Sequence, residues 1–298
     1  MIYTLTLNPS LDYVMDCSNI KIGKTNRSRE EAIYPGGKGI NVSVVLSELG
    51  MENVALGIEG GFTGKELLRL LENKIQTDFV HIDNYITRIN VKVKGNNVTE
   101  INGKGISLEN AEILLEKLRK IKSGDYLVLS GNCNPKHLYR DIINNVNMGV
   151  KVVLDTTADI LKETISCKPF LVKPNYDELC EYFDYKTENI YACLRQMQKD
   201  GAENVLLSMG AKGGILAWEN EPVIQVPAIN GSVINTVGAG DSMVAGFLYS
   251  YINNNDYISA LKMAVACGCS TAFSQWLTDK KGAEYIYAGI NLLPEQKA

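Results

Sequence analysis

The stretch NTVGAGDSMVAGFLYSY, residues 235–251, places one carboxylate between two glycines and an apolar stripe. The apolar side chains recur at helical spacing and predict a helix with one face in a core; they are Met243, Val244, Phe247, Leu248, Tyr251 and Ile252. Asp241 then falls in the first turn. Gly238 and Gly240 remove side chains where N–H groups without a helical partner point outward, which is a geometry that binds anions. Alternatively, Asp241 caps the helix and the glycines form a tight turn; these residues alone leave both interpretations open.

Short apolar runs alternate with helical patterns along most of the 298 residues. This alternation predicts a single α/β domain over residues 1–298, with three α/β/α layers and a mostly parallel sheet. Buried strands are expected at 126–131, 150–156, 169–175 and 204–210, and helices at 108–121 and 190–199. The N-terminus, MIYTLTLNPSLDYV, also has the pattern of a strand. Open sheets of this class bind ligands at the carboxyl ends of their strands, so we expect the chemistry there.

Two stretches, at about 12–34 and 88–102, lack helical period, and the second alternates in period two around GNN as a hairpin does. We expect them to form a small sheet added to the main domain, which could act as a lid that excludes water from a ligand. The alternative is that these strands protect an edge or form the contact of a homodimer.

Composition excludes several classes of protein. No apolar run reaches the roughly 18 residues that a membrane span needs, and no basic region precedes the N-terminal strand, so we expect a cytoplasmic protein with no membrane partner. The net charge of −4 provides no basic field for nucleic acid. Seven scattered cysteines and two histidines form no zinc-type pattern, so reduced thiols are expected.

A second glycine cluster, PGGKGINVSVVLSELG at residues 35–50, repeats the arrangement of a glycine loop before a helix. Lys38 lies within the loop and Asn41 falls on the first turn. The spacing fits neither a Walker loop nor a dinucleotide fingerprint, which disfavours a nicotinamide dehydrogenase. One such loop is also compatible with a tight turn and a surface lysine. Two loops, one with a lysine and one with a carboxylate, suit a ligand that carries both a phosphate and a hydroxyl.

PGGKGINVS and NTVGAGDSMVAG together resemble the phosphofructokinase B branch of the ribokinase-like sugar kinases. Further segments in the family's order cover nearly the whole chain: TLTLNPSLDY (4–13), GGFTG (60–64), TRINVKV (87–93), VLSG (128–131), FLVKPNYDEL (170–179) and LLSMGAKGG (206–214). The resemblance implies a ribokinase-like fold and the ATP- and Mg²⁺-dependent phosphorylation of a ketohexose phosphate. Within the family, the chain is most similar to the 1-phosphofructokinase group in three features: the lysine of PGGKG, the TRINVK segment and the TVGAGDSMVAG segment. Fructose 1-phosphate is therefore the expected substrate. Tagatose-6-phosphate kinases are also similar.

The resemblance also assigns roles to residues. The catalytic base is Asp241, and the anion hole is formed around Gly238, Ala239 and Gly240. The sugar-phosphate residues are Asp12, Gly36, Gly37, Lys38, Asn41 and Arg88, with Lys38 and Arg88 on the phosphate and Arg27 as a weaker third cation. The ATP residues are Lys173, Asn175, Glu178, Ser208, Gly210 and Gly213, with Glu178 holding Mg²⁺ through water. Residues 264–274 would border the adenine, where Cys267 and Cys269 are expected to pack rather than react.

Some features depart from the family pattern or fit another interpretation. Asn132 and Cys133 stand where the family has serine and leucine, which leaves a sugar contact near Asn132 open, and Ala158 replaces a common glycine. Arg88 could be a solvated strand residue and Glu178 an ordinary helix-surface acid. A sugar-phosphate-binding regulatory protein without turnover is the alternative function, although intact GAGD and KPNYDE motifs argue against it.

Overall fold

The computed structural model describes residues 1–17, 20–95, 98–108, 111–186 and 189–290. Within them, a main sheet contains nine strands: β1 (Ile2–Thr6), β4 (Asn53–Glu59), β5 (Gln76–His81), β8 (Tyr126–Ser130), β9 (Lys151–Asp155), β10 (Leu171–Val172), β11 (Asn204–Ser208), β12 (Gly214–Trp218) and β13 (Ile224–Val226). Their order is β13-β12-β11-β10-β9-β8-β1-β4-β5. The seven strands from β11 to β5 pair in parallel, and β12 and β13 extend one edge in antiparallel pairing.

Helices cover both faces of this sheet, which confirms the three-layer prediction. They are α1 (Lys38–Glu48), α2 (Gly61–Leu71), α3 (Glu112–Leu118), α4 (Leu138–Asn145), α5 (Ala158–Thr164), α6 (Tyr176–Phe183), α7 (Ile190–Asp200), α8 (Ala239–Asn254), α9 (Tyr257–Ala272) and α10 (Lys280–Gly289). Successive strand residues alternate between two cores: Val128 packs with α1, α8 and α9, whereas Leu129 packs with α3 to α7. The strands that are buried on both faces are mostly apolar, as is typical of parallel sheets.

A separate four-stranded sheet, the small sheet, has the order β3-β2-β6-β7. Its strands are β2 (Ser10–Asp16), β3 (Glu30–Gly36), β6 (Arg88–Lys94) and β7 (Val98–Asn102). The β2 strand pairs antiparallel to β3 and parallel to β6. The predicted hairpin is present as the antiparallel pair of β6 and β7, and Asn96 and Asn97 of its turn lie outside the described residues.

Three predicted elements differ from the structure. The N-terminal stretch is not one strand, because the chain leaves the main sheet after β1, passes Pro9, and enters the small sheet as β2. The strand expected at 169–175 is only two residues long and lies between Pro169 and Pro174, which lack the N–H that a ladder needs. The helix expected at 108–121 is limited to Glu112–Leu118 among the described residues. In the described ranges, no helix has the length and apolarity to span a membrane.

Candidate active site

The α8 helix begins at a glycine and buries a carboxylate in its first turn. Gly238 is the N-cap residue, with a left-handed backbone at φ 81°, and its position explains the glycine because other side chains are strained there. Asp241 is only 5% exposed. Its Oδ2 accepts a 2.7 Å hydrogen bond from Nδ2 of Asn41, on the first turn of α1. The cap position is therefore Gly238 and not Asp241, whose carboxylate faces another helix.

Three more charged groups surround this carboxylate. Asp155, at the carboxyl end of β9, accepts hydrogen bonds from Nζ of Lys38 at 3.1 Å and pairs with Nζ of Lys173 at 3.2 Å. Burial raises the pKa of Asp241 to about 7, and the negative charge of Asp155 adds to the rise. This rise in pKa is only partly offset by the positive charge of Lys38, the hydrogen bond from Asn41 and the positive charge of Lys173. A carboxylate whose pKa lies near neutrality is well suited to accept a proton.

The other glycine loop brings the small sheet against α1. Gly36 ends β3. A Cβ there would overlap the carboxylate of Asp12, so the close approach of this carboxylate to the backbone requires a glycine. The carboxylate of Asp12 is held on both oxygens. Oδ2 pairs with Nζ of Lys92 at 2.8 Å, and Oδ1 accepts hydrogen bonds from Ser10 Oγ at 2.8 Å and Asn90 Nδ2 at 3.0 Å. Asp12 is therefore fixed as a hydrogen-bond acceptor on the inner face of the small sheet.

Asp12 lines a cavity of about 560 Å³ between the small sheet and the main domain, here named the small-sheet cavity. Its other polar and charged lining residues are Tyr34, Asn41, Lys92, Lys94, Glu100, Asn235, Thr236 and Gln275. The ring of Tyr34 stacks on Trp276 of the main domain with centroids 5.8 Å apart. This cavity can accommodate a small polar ligand with hydroxyl groups.

A second cavity of about 460 Å³, here named the helix cavity, lies on the other side of the α8 N-terminus. Six of the predicted ATP and anion-hole residues line it: Asn175, Ser208, Gly210, Gly213, Ala239 and Gly240. Its remaining wall is largely apolar, with Ile229, Val265 and Phe273. Cys269 lines this wall, whereas Cys267 is fully buried and its thiol pKa is raised by burial to about 12, so Cys267 packs and does not react.

The two cavities meet at the head of α8. Both are lined by Val233 and Thr236, and Asn41 lines the first while Gly240 lines the second. Asn41 donates a hydrogen bond to Asp241, and Gly240 directly precedes Asp241 in the chain, so the Asp241 carboxylate lies at the junction of the two cavities. A group transferred from a ligand in one cavity to a ligand in the other would pass this point.

Glu178 and Asn175 form a reciprocal capping box at the start of α6. The Asn175 side chain accepts from the Glu178 N–H, and the Glu178 carboxylate accepts from the Asn175 N–H, each at 2.8 Å. Glu178 also acts on Lys38: its charge contributes to the raised pKa of that lysine, after the larger contribution of Asp155. Among the described residues, no group of three or more His, Cys, Asp or Glu side chains could hold a metal. A Mg²⁺ that arrives on nucleotide phosphates needs only one or two protein carboxylates, and Glu178 fits that requirement.

Some predicted residues lie away from the cavities. Arg88 lines neither, and its guanidinium donates to the carbonyls of Asn8 at 3.0 Å and Gly103 at 3.4 Å. Arg27 is exposed. Asn132 is also exposed, and its backbone carbonyl accepts from the Asn8 side chain at 3.1 Å.

Sequence reasoning missed two charged residues of this site. Lys92 stands inside the TRINVKV segment, and alternation along that strand could have placed it on the same face as Asn90. Asp155 ends a predicted buried strand, and a carboxylate at that position could have been expected to face the ligand edge of the sheet. The residues that pair with Lys92 and Asp155 could not have been identified from the same local patterns.

Comparison with known proteins reveals extensive similarity. Residues 5–278 match the pfkB family carbohydrate kinase profile. The chain is 38% identical to a 1-phosphofructokinase of Bacillus subtilis (strain 168), covering 100% of this chain and 99% of the relative. It is 36% identical to a D-tagatose-1-phosphate kinase of Bacillus licheniformis, covering 94% and 95%. The crystal structure of phosphofructokinase-2 from Escherichia coli in complex with substrates and products superimposes with a TM-score of 0.89 at 28% identity, covering 97% and 99%.

Proposed function

The chain belongs to the pfkB family of carbohydrate kinases and is a ketohexose-phosphate kinase, and we propose that it transfers a phosphoryl group from ATP to the 6-hydroxyl of fructose 1-phosphate. The observation that carries the proposal is the position of Asp241 at the junction of the two cavities. Its buried carboxylate, with a pKa raised to about 7, suits the removal of a hydroxyl proton near neutral pH.

The backbone at the head of α8 is proposed to receive the phosphoryl group. Ala239 N–H donates to the Thr236 carbonyl at 3.3 Å, so Gly240 and Asp241 supply the first-turn N–H groups that the proposal uses. The helix dipole favours negative charge at the same place. Gly240 has no side chain to obstruct transfer, and a Cβ there would lie 3.3 Å from Nζ of Lys173. Lys173 is therefore a second donor for the transferred group.

The small-sheet cavity is proposed to bind the sugar phosphate. Asp12 and Asn41 would hold its hydroxyls, and Gly36 and Gly37 would let the backbone approach the ring. Arg88 remains a proposed ligand of the sugar's own phosphate, for which it would have to exchange the carbonyl contacts that it now makes. Lys38, which the motif also suggested for that phosphate, pairs with Asp155 close to Asp241 and is proposed to act there on the transferred phosphoryl group. Lys92 and Lys94 also line the cavity, together with the carboxylates of Asp12 and Glu100.

The helix cavity is proposed to bind ATP, with its apolar wall against the adenine and Asn175, Ser208, Gly210 and Gly213 around the sugar and phosphates. When bound, Mg²⁺ would neutralise charge on the phosphates as the phosphoryl group moves. Glu178 would hold it through water, and the capping box fixes the backbone of Asn175 at the edge of the cavity.

Tagatose 1-phosphate is a second candidate substrate. It carries its phosphate on the same carbon as fructose 1-phosphate and differs only at C4, and a relative of 36% identity acts on it by name. Tagatose 6-phosphate reverses the phosphate position and is the more distant alternative. A site that hydrogen-bonds one hydroxyl can reject an epimer by several powers of ten, so the contacts of Asp12 and Asn41 would decide between the candidates.

The test is a coupled assay of ADP release with fructose 1-phosphate, tagatose 1-phosphate, tagatose 6-phosphate, fructose 6-phosphate and unphosphorylated fructose. The highest kcat/KM is expected for fructose 1-phosphate. A higher value for any other sugar would refute the substrate assignment, and equal rates with unphosphorylated fructose would refute a phosphate clamp. Absence of turnover with every sugar would favour the regulatory alternative.

The outer face of the small sheet is proposed to form a homodimer. Ile33, Ile89 and Ile101 are exposed there on three of its strands. Such a row of apolar side chains is typical of a surface covered by a partner. Sedimentation should give a dimer for the wild type and a monomer for Ile33→Lys, while Ile258→Lys, which changes an exposed isoleucine on α9, should remain dimeric.

A further inference from the structure

Asp155 is the most deeply buried charge near the head of α8. Its side chain is 0% exposed, and it ends β9 opposite Ser130 of β8. Its Oδ1 atom lies 3.1 Å from Nζ of Lys38 and 3.2 Å from Nζ of Lys173, while Oδ2 has no hydrogen-bond partner among the described residues. Although burial raises the pKa of Asp155, Lys173 and Lys38 outweigh that effect and lower the pKa below its ordinary value. A buried carboxylate is tolerated only when it is paired, so Asp155 is held there by the two lysines and holds them in turn.

The two lysines reach this carboxylate from different parts of the chain. Lys38 is the first residue of α1, and Lys173 follows β10, with its N–H bonded to the Leu154 carbonyl at 2.9 Å. An ammonium group has three N–H donors, and the bond to Asp155 uses one of them. Nζ of Lys173 lies against Gly240, and Lys38 is close enough to Asp241 for that carboxylate to raise the lysine's pKa. Both cations therefore retain donors at the place where a phosphoryl group would arrive.

We propose that Asp155 is a positioning residue, whose carboxylate holds the ammonium groups of Lys38 and Lys173 side by side at the head of α8 so that both meet the phosphoryl group next to Asp241. This inference rests on the proposed kinase reaction and extends it. Asp155 is not proposed to touch the reacting atoms itself, because its side chain is fully buried and both lysines contact its Oδ1. Without it, the two ammonium groups would repel each other and separate.

The same carboxylate also sets the charge around the base. Three charged side chains act on Asp241: Asp155 at the end of β9, Lys38 at the start of α1 and Lys173 after β10. The negative charge of Asp155 favours the protonated form of Asp241, and the lysines favour the ionised form. Removal of the Asp155 charge should therefore let Asp241 ionise at lower pH, and removal of Lys38 should have the opposite effect.

The first experiment measures turnover and its pH profile for Asp155→Asn, which keeps the shape and removes the charge. We expect kcat to fall about 10- to 100-fold, with a smaller change in the KM for the sugar, and the acid limb of kcat to move down by roughly one to two pH units. The matched control is Asp78→Asn, because Asp78 is also held by two lysines, Lys117 and Lys120, far from the cavities. Wild-type kcat in Asp155→Asn, or a loss that added Mg²⁺ restores, would overturn the proposal.

The second experiment does not depend on the substrate. Carboxyl-carbon NMR of protein labelled at aspartate, with the Asp241 signal assigned from Asp241→Asn, follows the titration of Asp241 directly. Its midpoint should lie near 7 in the wild type, fall in Asp155→Asn and rise in Lys38→Met. Opposite shifts cannot come from a general loss of structure. If the midpoint stays unchanged in both variants, Asp155 does not organise this site; if the shifts occur without turnover on any sugar, the proposed function fails and the charge arrangement stands.

Discussion

Replacement of Asp241 by asparagine should stabilise the fold while it removes nearly all turnover. The amide keeps the shape of the carboxylate and can still accept the hydrogen bond from Asn41. It carries no charge, however, and cannot take a proton. Loss of one positioned base costs about 10²- to 10⁴-fold in rate.

The stability gain follows from the burial of the carboxylate. The pKa of Asp241 rises from 3.8 to about 7 on folding, which means that the native state disfavours the ionised form of this carboxyl group. At about 1.4 kcal/mol per unit, the cost approaches 4 kcal/mol above pH 7. It shrinks as the pH falls through 7 and vanishes below the unfolded value of 3.8. Asparagine removes this cost, so the expected gain is about 2–4 kcal/mol near pH 8 and below about 2 kcal/mol near pH 5.

Urea unfolding at both pH values, together with the coupled ADP assay, measures the two effects. Asp78→Asn provides a control of opposite sign, because its hydrogen bond to Lys117 lowers the pKa of Asp78 in the folded state. That variant should lose stability near pH 8, lose less near pH 3 and retain turnover. The reasoning is refuted if Asp241→Asn keeps more than a tenth of the wild-type kcat, or if its stability falls equally at both pH values.

Three further substitutions separate the roles of the loops. Gly240→Ala should lower kcat more than it raises the sugar KM, because its methyl group would stand 3.3 Å from Nζ of Lys173 where the phosphoryl group passes; an increased sugar KM with unchanged kcat would contradict this. Arg88→Ala should raise the KM for fructose 1-phosphate at least about tenfold and spare the KM for ATP; a lower melting temperature with an unchanged KM would instead make this residue a structural tie. Lys92→Met should raise the sugar KM about tenfold by releasing the Asp12 carboxylate, again without effect on ATP, and calorimetric titration with each ligand checks both expectations.

The sequence alone determined the fold class and the position of Asp241 in its helix, because both depend on local pattern. Apolar runs such as residues 126–131 must be buried on both faces, and only strands within a layered sheet allow that. The spacing of apolar residues after Gly240 likewise fixed Asp241 in the first turn of α8. The period-two alternation of residues 88–102 predicted the β6–β7 hairpin.

Proline and irregular segments limited the element boundaries. The expected strand at 169–175 was reduced to two residues between prolines, and the N-terminal run divided between two sheets. The ends of a strand depend on the hydrogen bonds that it makes with the neighbouring strand. A run of apolar residues does not specify which strand that neighbour is.

Only the tertiary structure decided which charges meet. Asn41 and Asp241 are 200 positions apart and share a hydrogen bond because α1 and α8 pack on the same face of the sheet. Asp155 meets two lysines because β9 and β10 are neighbours in the sheet and α1 begins above them. Arg88, which the motif suggested for a phosphate, lies against two backbone carbonyls, and no local pattern specifies those contacts. A motif specifies residue types, but the direction and partner of a long side chain depend on the order of the strands and on the packing of distant helices.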